Sequence, residues 1–465
     1  MTMEREGTAD AIRQLADWAA STPASGIPPE VLARGARVLA DDLSAIIGAR
    51  DEPEVAAFHA RVLSRPCAGE ATVFRGGRRR TERVSAAVAN AVAADWLELD
   101  EGYRNVPCHA GLYVVPALMA EAEATNLPLE QMLRALVLGY EIVTRVARAW
   151  TPRALVMQSH GRYSAIGAAA AVALARGADA RLLTAAIGTA ATLIGPSPRN
   201  HLAAGILSRN IWAAAGAWSG SMALEWAECG IAGAPGAFFD TYSTVLGGQA
   251  HPERLTEDLG KRFAIEDGYT KIYACCQHLH SAVEATVAMR AELLAKATLE
   301  DVAAIHVETY PLAAVLMNDR PETVLGAKFS MSHAVAAALV TGTGGAEAFT
   351  AATLTEPAIG RLRGRVKVSL RPVELPPPND RPARVTLELR DGATVSSECL
   401  SAVGGPDRPL PIQVVFDKVT SLAAPVYPKI RPVLESLAGL APARRGAGWA
   451  DIVSEFCGQP EESST

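Results

Sequence analysis

Apolar residues recur at three- and four-residue spacing through most of the first 265 positions of the chain. That period gathers them on one side of a helix. The stretch VLARGARVLADDLSAIIG after Pro29 shows it first. VVPALMAEAEA and LEQMLRALVLGYEIVTRVARAW repeat it on either side of Asn126-Leu127-Pro128. Asn126 is expected to cap exposed amides, and Pro128 suits a first helical turn. Gly177 and Asp179 mark another stop and restart. No alternating pattern competes here, so this region is predicted to be all helix.

The period changes after residue 266. VAAIHVETY (Val302 to Tyr310) reads as a strand, and RVKVSLRP puts Val366, Val368 and Leu370 on one face. ARVTLELR alternates through Val385, Leu387 and Leu389, and Asp391-Gly392 turns it into ATVSSECL, a hairpin. ELPPPNDRP is a loop, and SHAVAAALVTG is a helix among the strands. These elements predict an α+β unit on an antiparallel sheet. Helical patterning returns near residue 410 in KVTSLA and PKIRPVLESLAGL, and the tail EESST is expected to fray.

Composition narrows the class. The 465 residues are 49% hydrophobic, enough for a large core, so disorder is excluded as the main state. Aromatics are only 5% while Ala is abundant, which favours closely packed helices. The net charge is −6 with no dense basic run, and the strongest basic cluster, RGGRRR (Arg75 to Arg80), reads as a solvated loop, so no nucleic-acid partner is expected. Seven cysteines, an odd number, argue for a reducing compartment. The N-terminus lacks an apolar signal segment, and the longest apolar runs fall short of the roughly 20 residues a membrane span needs. A cytoplasmic protein with no membrane contact is expected.

Signatures of phosphate loops, nucleophile elbows and zinc proteases are missing. Gly342-Thr343-Gly344-Gly345 follows a helix and reads as a turn. Cys275, Cys276, His278 and His280 carry zinc-ligand chemistry but lack a second cluster to complete a tetrahedral site. Asp41-Asp42 is not the DDxxD of a terpene cyclase. Four polar clusters do interrupt the apolar helices. LELDEGYRNVPCHAG holds Glu98, Asp100, Glu101, Tyr103, Arg104 and His109, a setting suited to proton transfer and anion binding. SHGRYS holds His160, SPRNHLAAGILSRN holds Arg199 and Arg209, and DGYTKIYACCQHLH holds Tyr269, Lys271, Cys276 and His280. Each alone has a structural reading, as a cap or a core histidine. Together they are expected to converge on one cleft.

With VLADDLSAIIGAR, LELDEGYRNVPCHAGLYVVPALMAEAE, VLGYEIVTRVARA, SHGRYSAIGAAAAVALARG, KIYACCQHLHSAVEA and SMSHAVAAALVTG in this order, the chain resembles the MmgE/PrpD family. That family includes 2-methylcitrate dehydratase, cis-aconitate decarboxylase and iminodisuccinate epimerase. The resemblance implies a mainly α fold with an inserted α+β lid: an all-helical domain from residues 1–266 and 406–465, and a lid from 267–405 with an antiparallel sheet. It also implies a homodimer that needs no metal or organic cofactor and acts on a small di- or tricarboxylate. Residue by residue it carries catalytic roles to His109, His160 and Lys271, and places His280 at the close of the lid motif. Against the cis-aconitate decarboxylase pattern the chain departs. Glu98 replaces an aspartate, Gly102 a threonine, Arg209 a lysine, Cys276 a histidine and Met317 a tyrosine.

The expected chemistry removes a proton α to a carboxylate. His109 serves as base, with Asp100 or Glu98 orienting it, because imidazole titrates near neutral pH. His160 stabilises developing charge. Lys271 and Arg209 hold substrate carboxylates, the latter with bidentate geometry. Tyr103, Arg104, Cys276 and His280 complete substrate binding. A dehydratase is the leading expectation, an epimerase the alternative. A catalytically inactive binding member is a third.

Overall fold

A computed structural model describes residues 3–439 and 442–459. The tail segment EESST lies outside the described residues. The Ser159–Ala175 helix sits at the centre of a large helical body, with every residue from Ser159 to Leu174 buried. A helix buried all round needs small side chains where neighbours cross it. The Trp212–Glu228, Leu129–Ala149 and Ala110–Thr125 helices pack against it. At Gly216 an added Cβ would lie 2.4 Å from the Ser164 Cβ, so these two helices touch nearly backbone to backbone. This is what the Ala-rich, aromatic-poor composition builds.

The C-terminal helices return to the same body. Ile412–Ala423 and Ile430–Ala438 pack on the Pro29–Gly48 helix, and Trp449–Cys457 packs on Ala110–Thr125. Arg50 Nη1 donates to the Leu422 carbonyl at 3.1 Å, and the Tyr427 hydroxyl donates to the Gly77 carbonyl at 2.8 Å. Asn126 does something other than cap the helix that follows it. It closes the preceding helix in the left-handed conformation, and its Oδ1 accepts from the Ala450 amide at 3.0 Å, capping the Trp449–Cys457 helix instead.

The mixed unit is a four-stranded sheet in the order Thr394–Cys399, Ala383–Leu389, Val302–Thr309, Val366–Leu370. The first three strands are antiparallel, with Thr394 opposite Glu388 and Ile305 opposite Leu387. The fourth departs from the expected antiparallel pattern. Val366–Leu370 runs parallel to Val302–Thr309, with Ile305 opposite Val366. The chain between them passes through the Met331–Thr341 and Pro357–Arg363 helices, the long crossover that parallel pairing requires. The His280–Lys296 helix covers the hairpin, and Met331–Thr341 packs on that helix.

Two further expectations are corrected. The helical region also contains short strand pairs: Ala71–Val73 with Arg79–Thr81, Gly102–Tyr103 with Gly268–Tyr269, and Trp150–Thr151 with Gln249–Ala250. RGGRRR is not a solvated loop either. It turns the first of these pairs, and Arg78 is buried against Glu123 at 3.2 Å. No helix among the described residues is long and apolar enough to cross a membrane.

Candidate active site

A cavity of about 550 Å³ has walls from both the helical body and the sheet unit. One wall comes from the loop between Asp95 and His109, through Glu98, Tyr103 and His109, and several distant groups hold that loop in place. Lys418, from a C-terminal helix, donates to the Leu99 carbonyl at 2.7 Å and pairs with Asp41 at 2.6 Å. Asp42 accepts from the Glu101 amide at 2.8 Å. Lys328, from the sheet unit, donates to the Trp96 carbonyl at 2.7 Å. Asp41-Asp42 therefore serves as a buried anchor beneath the loop.

His109 ends the loop, immediately before the Ala110–Thr125 helix, and lines the cavity. Its Nδ1 lies 2.6 Å from Asp100 Oδ2. Burial alone would push the Asp100 carboxyl up. Lys271, 3.2 Å away, and His109 outweigh burial and hold it well below the usual carboxylate range. An ionised Asp100 can only accept, so Nδ1 carries the proton and Nε2 is left as the basic nitrogen. The His160 ring stands 4.9 Å from that of His109, edge to face. Burial, then Arg209 and His109, push His160 well below the ordinary histidine value, so it is neutral. Its Nδ1 meets the Tyr113 hydroxyl at 2.9 Å and its Nε2 meets Asp95 at 3.3 Å.

The two cations expected to hold substrate are already engaged. Arg209 bridges Asp95 and Glu98, each at 2.5 Å, and is 1% exposed. Lys271 lies 3.4 Å from Glu98 as well as near Asp100, and is fully buried. Burial works against both charges, but these carboxylates raise both above their ordinary values. Burial pushes Asp95 up to about 6, against the pull of Arg209. Asp95 was missed in the sequence, although it is the acid that ends the Ala-rich helix just before the first polar cluster. Arg209 nevertheless lines the cavity, and so do two further cations, Arg199 and Arg381. Arg199 makes no ion pair among the described residues, and Arg381 donates to the Arg104 carbonyl at 2.7 Å.

The remaining candidates divide. Glu98, Tyr103 and Cys276 line the cavity with His109 and Arg209. The Cys276 thiol is pushed up to about 11 by burial and Glu98, so it remains a thiol. Arg104 instead turns to Asp380, and His280 is buried with its Nε2 3.1 Å from the Cys275 carbonyl. His278 does face the cavity, with Nδ1 2.5 Å from the Tyr310 hydroxyl. Cys275, Cys276, His278 and His280 thus do not converge, and no group of three or more possible metal ligands occurs among the described residues. Tyr269 was only one member of a cluster in the sequence. Its hydroxyl occupies the space above Gly102, where an added Cβ would lie 2.2 Å away.

The MmgE/PrpD N-terminal domain matches residues 13–249, and the MmgE/PrpD C-terminal domain matches residues 273–435. The chain belongs to the MmgE/PrpD family. His109, His160 and Arg209 fall within the N-terminal match of that family; Cys276, His278 and Arg381 fall within the C-terminal one. Among MmgE/PrpD relatives, the cis-aconitate decarboxylase-like protein oryM of Aspergillus oryzae is 25% identical, over 89% of this chain and 90% of its own. A cis-aconitate decarboxylase of Aspergillus terreus is 24% identical over 90% of each chain.

Proposed function

We propose that the protein is a metal-independent lyase that removes a proton α to a carboxylate of a di- or tricarboxylate and eliminates water. The observation that carries this reading is the His109–Asp100 pair, 2.6 Å apart, facing a cavity that arginines also line. In this reading Nε2 of His109 takes the proton. The C–H electrons form the double bond, and the C–O bond breaks. Tyr269, which burial keeps protonated, donates to the departing hydroxyl, and water leaves. The proton on His109 then restores Tyr269. Arg199 and Arg381 hold the substrate carboxylates, which spread the carbanion's charge. Lys271 keeps Asp100 ionised, and Arg209 and Lys271 hold Glu98 and Asp100 in position.

The relatives' names support lyase chemistry of the same kind of intermediate. In decarboxylation the electron pair comes from a C–C bond and His109 protonates the resulting carbanion. Arg209 and Met317, in place of the lysine and tyrosine of the decarboxylase pattern, argue against cis-aconitate decarboxylation. In epimerisation a second donor returns the proton on the opposite face.

Proton NMR of the purified chain with citrate, 2-methylcitrate, aconitate and iminodisuccinate in D2O separates the three. A new alkene signal is expected, undiminished by EDTA and lost in His109→Ala. Exchange at the α carbon without loss of water would establish the epimerase instead, and release of CO2 the decarboxylase. Turnover by His109→Ala at the parent rate would overturn the site assignment.

A further inference from the structure

The cavity changes character from floor to mouth. Glu98 and Arg209 form a buried, charged floor with His109 beside them. Leu155, Val156 and Val315 also line the cavity, and they are 43%, 72% and 67% exposed. Their exposure places them at its opening. Leu312 and Leu316 add less exposed apolar surface to the same walls. Single exposed aliphatic residues are ordinary on a protein surface, but a set gathered around one opening marks binding. A small polycarboxylate has a carboxylate for about every two of its carbons and little apolar surface. It would satisfy the floor and leave the mouth wet. The cavity's 550 Å³ lies well inside the range of about 300–1,000 Å³ that encloses larger ligands.

We propose that the substrate is a di- or tricarboxylate bearing an aliphatic chain of several carbons. Its carboxylate head lies at His109 and Arg381, and its chain runs out along Leu155, Val156, Leu312 and Val315. This rests on the reading of the site as one for carboxylates. The chain takes no part in bond making. It contributes affinity through burial of apolar surface, and it sets which acids are turned over.

Calorimetric titration of the full chain with 2-methyl-, 2-butyl- and 2-hexylsuccinate tests it. Each added methylene is expected to lower Kd by roughly three- to fourfold, the gain for a fully buried CH₂. Val156→Asp and Val315→Asp are expected to flatten that slope, each variant being its own reference through its 2-methylsuccinate value. Both positions are exposed, so neither change threatens folding. Hexylamine, with the chain but no carboxylates, is expected to bind far more weakly than hexylsuccinate. If the three succinates bind equally, and binding still depends on Arg381, the chain site is overturned while the carboxylate reading stands. If no succinate binds, both are overturned. Equal binding of hexylamine overturns the chain site, and so does a parent dimer that Val315→Asp splits in sedimentation equilibrium, because the apolar rim would then be a subunit contact.

Discussion

His109 owes its usable nitrogen to Asp100. Asp100→Asn removes the obligate acceptor and lets the ring take the wrong tautomer, so kcat is expected to fall by about 10³–10⁴, and Tm falls with it because buried Lys271 loses the nearer of its two carboxylates. Steady-state rates and thermal melts on the same sample check this. A second residue-scale prediction concerns Glu101, fully buried and pushed up to about 7, mainly by burial. The folded chain holds that proton more tightly than the unfolded chain, so stability is lost as pH rises from about 4.5 through 7. Glu101→Gln cannot ionise. Its stability relative to the parent is expected to rise between pH 5 and pH 8, by about 1–3 kcal/mol. A gap independent of pH would sink the assignment. At this scale the sequence shows what is contiguous. Asp100 and His109 share one loop, so their partnership is legible. The pairing of Arg209 with Asp95 spans more than 100 positions, and nothing in spacing reveals that a guanidinium expected to bind substrate is already neutralised.

The long helices are the most legible elements, because a period near 3.6 sustained over several turns has no other reading. The two-residue strand pairs are too short to alternate, and alternation itself is the same in parallel and antiparallel strands, so the pairing of Val366–Leu370 was hidden. One of those short pairs matters for chemistry. Gly102–Tyr103 against Gly268–Tyr269 seats the Tyr269 ring where any side chain at Gly102 would stand. Gly102→Thr is expected to displace Tyr269, lowering stability by about 1–3 kcal/mol and kcat by about 10–100-fold. The double variant Gly102→Thr with Tyr269→Ala is expected to regain stability without regaining turnover. Recovery of both would show that Tyr269 is packing alone.

At the scale of the whole molecule, the loop that carries the site is held from far along the chain. Lys418→Met leaves Asp41 buried without its partner and the Leu99 carbonyl without its donor. Urea unfolding is expected to show a loss of about 3–5 kcal/mol, the cost of an uncompensated buried charge. Adding Asp41→Asn should return most of it, since the orphaned charge is then gone. Little loss in the single variant would mean that water reaches Asp41. The helix–mixed–helix order was legible in the hydrophobic period. That a late helix anchors the loop of Asp100 and His109 was not, because KVTSLA reads only as an amphipathic helix with one stray lysine.

The placement of Lys418 also orders events during synthesis. Domains fold as the chain emerges, from the N-terminus onward. The loop from Asp95 to His109 is made early, yet Lys418, one of its anchors, lies 319 positions after the Leu99 carbonyl it holds. Until Lys418 is made, Asp41 lacks that partner, and the Leu99 carbonyl lacks its donor. A nascent chain stalled short of Lys418 therefore holds His109 and Asp100 on a loop that lacks one of its fixed supports.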